Sequence, residues 1–156
     1  MSIDNVRKYL TQFNIENDIL EFPVSSATVQ LAAEALNVIP ARITKTLALK
    51  DGDGCMVIAV AGDGKIDNKK FKTEFGFKAK MLSPEETLEM TSHAVGGVCP
   101  FALPEGVKAY CDISMKRFDT VFPACGSSNS AIEVTCDELF EYSNAVKWID
   151  ICKDWE

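Results

Sequence analysis

The sequence predicts a single α+β domain built on a mixed sheet that curls toward closure. Three observations carry this. The chain has 156 residues, 47% of them apolar and 25% charged, which suits one substantial core. Helix and strand signals alternate in irregular order, with about seven strands and four or five helices. No repeat, low-complexity stretch or linker interrupts residues 1–156, so one domain spans them.

"SIDNVRKYLTQFN" starts on Ser2 as a cap and places Val6, Leu10 and Phe13 at helical spacing. "ILEFPV" reads as a short strand, and "SATVQLAAEALNV" as a helix with Val29, Ala32, Ala33 and Leu36 on one side. Pro40 punctuates. The strands "RITKTLALK" and "CMVIAVAG" follow, joined by the hairpin turn "DGDG". "DNKKFKTEFG" is a helix capped by Asp67, and "FKAKML" a further strand. "SPEETLEM" opens with Ser83 as cap, Pro84 at the first position and Glu86 at the third. Strands are predicted at "VKAYCDIS", "TVFPACG", "SAIEVT" and "AVKWIDI"; Thr135 and Glu138 cap the helix "CDELFEYS" between the last two.

Composition excludes several function classes. No apolar run reaches membrane-spanning length and the N-terminus lacks a signal peptide's order of charge and apolar residues, so a cytoplasmic protein is expected. Six cysteines at 55, 99, 111, 125, 136 and 152 form no C-x-x-C pair, which leaves no zinc signature and points to free, mostly buried thiols. The net charge of −7 disfavours a grip on a long nucleic-acid backbone; an RNA partner would be held by its end.

Two motifs fail on inspection. "DGDGCM" opens like a calcium loop, but Cys55 and Gly62 stand at the fifth and twelfth positions, so the bidentate glutamate is missing. "AVAGDGKI" imitates a phosphate loop, yet Ala59 replaces its first glycine and Ile66 the hydroxyl residue after Lys65. No metal or other cofactor is expected.

Three features survive. Lys45 shares a strand face with Ile43, Leu47 and Leu49, while Thr44, Thr46 and Ala48 share the other. A lysine on the more apolar face can snorkel to water, or can orient a carbonyl, carboxylate or phosphate at a pocket rim. The second feature is the loop "HAVGGVCPF", with the chain's one histidine, His93, and a G-x-x-x-P pattern in Gly96, Gly97, Val98, Cys99 and Pro100. Alone it reads equally well as a structural turn. The third is "ACGSSNSAIEV", where Gly126, Ser127, Ser128 and Asn129 form a polar turn between apolar strands.

A lysine in "KTL", a "GGVCPF" loop about fifty residues on, and "CGSSNSAIEV" nearer the C-terminus together resemble the YbaK family. These are aminoacyl-tRNA deacylases related to the editing domain inserted in bacterial prolyl-tRNA synthetases, and the likeness runs from about Phe22 to Ile151. The resemblance implies an α+β fold on a mixed, barrel-like sheet with a pocket for the aminoacylated tRNA 3′ end. It implies that Lys45 is the essential lysine and that the backbone of Gly96–Pro100 holds the ester carbonyl. It also implies hydrolysis assisted by the substrate's own hydroxyl or thiol, without metal or protein nucleophile. Glycine suits such a loop because a side chain would block the approach of an oxyanion to backbone N–H groups. Thr46, Gly126, Ser127 and Asn129 complete the expected substrate-binding set, and His93 joins it because some relatives carry a pocket histidine. The expected reaction is deacylation in trans of mischarged tRNA, most often tRNA-Pro bearing a small amino acid, with a synthetase as a further partner and no DNA or membrane. The competing readings are a silent module docked on a synthetase or another protein, and a thiol enzyme using Cys99 or Cys125.

Overall fold

A computed structural model describes residues 2–155. Its frame is a hairpin of two long strands, β2 (Ile43–Asp51) and β3 (Gly54–Ala61), in register from Thr44 opposite Ala61 to Asp51 opposite Gly54. Gly52 makes the turn at φ +60°, a left-handed conformation that favours glycine. The short strand β1 (Leu20–Glu21) precedes the hairpin, and β4 (Lys65–Ile66) follows it. Then come β5 (Lys108–Asp112), β6 (Thr120–Pro123), β7 (Ser130–Ala131), β8 (Val134–Thr135), β9 (Trp148–Ile149) and β10 (Cys152–Lys153).

The main sheet has six strands in the order β8-β6-β2-β3-β5-β9. It is mixed: β2–β3 and β6–β8 are antiparallel, whereas β2–β6, β3–β5 and β5–β9 are parallel. Two small pairs, β1–β7 and β4–β10, flank it. This is the expected α+β architecture, with the sheet curled into a half-barrel. The strands predicted at 130–135 and 145–151 are each broken, because Ile132 and Ile151 turn into the core between the short strands.

Residues 55–61 of β3 are buried throughout, since both faces of this central strand are covered. On one face Leu49, Met56, Ile58 and Val60 pack under Phe71 of α3 (Asn68–Phe75). On the other, Ala59 and Ala61 meet Val6 and Leu10 of α1 (Ser2–Leu10) and Leu139 of α5 (Cys136–Tyr142). Ala32 and Ala33 of α2 (Val29–Leu36) close over Ile43 and Phe122. The fifth helix, α4 (Pro84–Thr91), has the predicted capping box between Ser83 and Glu86; the one at Thr135 and Glu138 forms as well.

The segment 77–82 departs from expectation in a way that matters. It is not a strand but a single bridge, Met81 opposite Leu49, with Lys50 N–H donating to Lys80 O and Leu82 N–H to Ala48 O. At the other end of β2, β6 pairs only with Ile43 and Thr44. The outer edge of β2 is therefore covered at both ends and open at Lys45–Leu47.

A buried carboxylate locks the far end of the sheet. Asp112 accepts from Ser114 N–H at 2.9 Å and Ile151 N–H at 2.8 Å, and Ser114 Oγ accepts from Ala61 N–H at 3.1 Å. Asp112→Ala would leave two buried donors unpaired, at about 1–3 kcal/mol each. We expect the melting temperature to drop by roughly 5–15 °C, and Asp112→Asn to recover part of it. A thermal melt unchanged by Asp112→Ala would contradict this role.

Candidate functional site

The open stretch of β2 is the floor of a cavity of about 390 Å³, near the small end of ligand-pocket sizes. Lys45 and Thr46 line it from β2, Phe122 from β6, Val95, Gly96 and Val98 from the glycine loop, and Ser26–Val29 from the entry to α2. Pro84 and Thr87 of α4 close another side. First-turn residues of both α2 and α4 thus line this space; the first turn of α2 carries no acid, whereas that of α4 carries Glu85 and Glu86, so Lys45 is the main positive charge there.

Lys45 is half-buried. Burial lowers its pKa from the ordinary lysine value, while Cys152 and Asp63 act in the opposite direction. The ion pairs among the described residues engage Arg7, Arg42, Lys50, Lys70, Arg117 and Lys147, and Lys45 is in none of them. Its ammonium is thus partly stripped of water and not committed to a carboxylate, as a group that orients an anion must be.

Thr46 shows why the strand gap matters. Ala48 C=O and Lys50 N–H point outward from β2, so by the two-residue period Thr46 also turns its N–H and C=O toward the open edge. Among the described residues its hydroxyl is one of two covered side-chain oxygens without a hydrogen-bond partner.

The glycine loop is built by close approach. Gly97 N–H donates to Ala94 O at 2.9 Å, closing a tight turn, and Gly96 has φ +98°. A Cβ on Gly97 would lie 2.8 Å from the backbone of Gly126 and Ser127. A Cβ on Gly126, itself at φ +91°, would lie 2.9 Å from the backbone of Ser2. The two glycine turns are stacked against each other and onto the start of α1. Gly96 therefore faces the cavity, while Gly97 faces the neighbouring loop.

The remaining predicted residues divide accordingly. Gly126, Ser127 and Asn129 do not line the cavity; they hold its wall. Ser127 Oγ donates to Ser130 Oγ at 2.7 Å, Asn129 Nδ2 to Phe22 O at 3.0 Å, and Ser26 N–H to Ser128 O at 2.6 Å. Ser130, Ala131 and the 26–28 segment, which sequence reasoning missed, are the cavity's actual surface there. The signal for the latter was the helix cap Thr28, whose hydroxyl accepts from Leu31 N–H at 3.1 Å.

His93 and Cys99 lie beneath the loop, fully buried, and Pro100 is buried beside them; none of the three lines the cavity. His93 Nε2 donates to Phe101 O at 2.8 Å, which leaves Nδ1 to accept from the Ser2 hydroxyl. Both ring nitrogens are spent on structure, so His93 is a strut and not a substrate contact in this geometry. Burial pushes the Cys99 thiol up to about 12 and that of Cys125 well above its ordinary value, so neither is a thiolate nucleophile near neutral pH. Among the described residues no three His, Cys, Asp or Glu side chains converge as a metal site would require.

Residues 24–142 match the family model for the aminoacyl-tRNA editing domain. The chain belongs to that family. It is 57% identical to the uncharacterized protein YwhH of Bacillus subtilis strain 168, over the whole of both chains. It is also 28% identical to the proline–tRNA ligase of Geobacillus sp. strain WCH70, over 65% of this chain but only 18% of that enzyme. A crystal structure of a candidate trans-editing enzyme for prolyl tRNA synthetase superposes with a TM-score of 0.87 at 26% identity, covering 97% of each chain. The shared fold confirms the barrel-like editing-domain architecture. No helix among the described residues is long and apolar enough to cross a membrane.

The strut makes a pH prediction. Burial holds the folded-state pKa of His93 below the ordinary 6.5, with the bond to Phe101 working against it. The unfolded chain then takes up a proton that the folded one refuses, so the contribution is whole above about pH 6.5 and is lost as pH falls toward the folded value. Chemical denaturation of the wild type should show stability declining between pH 7 and 5.5, with a shallower decline in His93→Gln. Identical slopes would remove His93 from the buried neutral role.

Proposed function

We propose that this chain is a trans-acting aminoacyl-tRNA deacylase, which clears a small amino acid from mischarged tRNA at the cavity beside Lys45. The observation that carries this is the convergence of a half-buried lysine outside every ion pair of the described residues, the first turns of two helices, and Gly96 and Val98 of the glycine loop on one space of about 390 Å³. Ester hydrolysis develops a negative charge on the carbonyl oxygen, and fixed donors in a partly dry site stabilise it most. In this reading the backbone of Gly96 and Val98 receives the carbonyl, Gly97 and Pro100 hold the loop's shape, and Lys45 orients the polar end of the substrate. As the family resemblance implies, the attacking group in this reading comes from the substrate's own hydroxyl or thiol or from water, and the protonated thiols of Cys99 and Cys125 and the engaged ring of His93 take no part. The family match and the 26% identical trans-editing relative support the assignment. By the same reading the partners are the aminoacylated tRNA 3′ end, with tRNA-Pro favoured, and a synthetase that delivers it in the cytoplasm.

The cavity sets selectivity by exclusion. In this reading Phe122 and Val98 narrow it against large side chains, while a smaller one is rejected by only about 1–3 kcal/mol per missing methylene. Incubated with alanyl-, seryl-, cysteinyl-, prolyl- and phenylalanyl-tRNA, the protein should clear the small residues and spare phenylalanine. Lys45→Ala should lower turnover on the best substrate by about 100-fold or more, the scale of one electrostatic contact at a transition state. Folded Lys45→Ala with unchanged turnover would sink the mechanism. Inactivity on all five esters would favour a silent binding module.

A further inference from the structure

The chain is acidic, yet residues 65–80 are not. Lys65, Lys69, Lys70, Lys72, Lys78 and Lys80 outnumber Asp67 and Glu74, for a local charge of +4 in a protein whose total is −7. Asp67 is engaged as the helix cap, its Oδ1 accepting from Lys69 and Lys70 N–H at 2.9 and 3.0 Å. Glu74 is held by Lys147 at 2.7 Å. Of the six lysines Lys70 is tied to Asp150 at 3.0 Å. The other five are exposed and take no part in the ion pairs of the described residues.

The fold makes these lysines one track. α3 buries Phe71 and half-buries Lys70, Glu74 and Phe75, which leaves Lys69 and Lys72 on its solvent face without an acidic neighbour on the helix's exposed side. At one end β4 sets Lys65 opposite Lys153 of β10, close enough to Lys45 for the two ammonium groups to repel. At the other end the chain returns along β2 through Lys78 and Lys80, and the next residues, Met81 and Leu82, are cavity wall. One end of the track thus lies near Lys45 and the other runs into the cavity wall. Among the acids around it, Asp63 is engaged by Arg117 at 2.6 Å and Asp150 by Lys70, Glu86 pairs with Lys50 at 3.3 Å beside the Lys80 end, the buried Asp112 acts on Lys70 from within, and Asp154 is exposed.

We propose that this lysine track, from Lys65 across α3 to Lys80, is the landing surface for the phosphate backbone of a double-stranded RNA stem whose single-stranded end enters the cavity. Flexible, hydrated lysines on a rigid helix suit phosphate positioning, which supplies affinity and register without sequence readout. The choice of RNA rests on the deacylase reading; the existence of a polyanion track does not. It would extend the end-only grip expected of an acidic protein to a stem contact, resting on the local charge of +4 against a total of −7.

The test is direct binding of an uncharged RNA hairpin with a single-stranded CCA end, followed by fluorescence anisotropy from 50 to 300 mM salt. Lys69→Gln, Lys72→Gln and Lys78→Gln together should weaken binding at least tenfold at 100 mM salt. The slope of log affinity against log salt should shrink by about 3, close to one unit per lost phosphate contact. A control triple elsewhere, Lys8→Gln, Lys108→Gln and Lys116→Gln, changes net charge equally and should leave both quantities near wild type. Equal weakening by the two triples would overturn the track, and so would hairpin binding that the first triple leaves untouched, as expected if the lysines meet an acidic protein. Track-dependent binding by a protein that deacylates none of the five esters would uphold the track and defeat the deacylase reading, so the two fail separately.

Discussion

Everything in the site depends on a missing piece of sheet. β2 is covered by β6 at Ile43 and Thr44 and by the 80–82 segment at Ala48–Lys50, and between them its edge is left open. An unpaired strand edge normally invites another strand. Here the gap is three residues long and roofed by the glycine loop and two helix starts, so it admits a small polar group instead. The strand's alternation then decides the chemistry: Thr46 turns its backbone to the gap, and Lys45 sits on the apolar face where burial strips water from its ammonium.

The glycines solve a related problem at the roof. An N–H group is useful to an oxyanion only if the loop carrying it is held still, and this loop is held by close backbone contact above and by one buried side chain below. Gly97 rests on Gly126 and Ser127, Gly126 rests on Ser2, and His93 bolts the underside through Phe101 and Ser2. The start of α1 is thus part of the cavity's scaffold although no residue of that helix lines the cavity. Gly96 has a different duty: its positive φ aims the turn, and it alone of the two adjacent glycines has cavity surface.

Much of this was legible in the sequence because it is periodic or local. The parity of "RITKTLALK" put Lys45 with Leu47 and Leu49, and both capping boxes were readable from residues three apart. The "KTL" strand and the two glycine turns sufficed for the family. The rest was hidden because it depends on contacts between distant residues. Nothing in "FKAKML" says that it ends as one bridge rather than a strand, and that bridge is what leaves the gap. Nothing near Asn129 says that its amide reaches back to Phe22 and so serves the wall rather than the ligand. The lone histidine looked like chemistry; its partner Ser2, ninety-one positions away, makes it a strut.

The central claim is that the ester carbonyl lies against the Gly96–Val98 backbone with Lys45 across the cavity. Its most direct test is a structure of the protein with a non-hydrolysable alanyl-adenosine amide. We expect the amide carbonyl oxygen within hydrogen-bond distance, about 2.7–3.2 Å, of a backbone N–H in that loop, the methyl group toward Phe122, and the Lys45 ammonium on the adenosine side. An analogue seated outside the β2 gap, or bound there with no loop N–H and no contact to Lys45, would contradict the account.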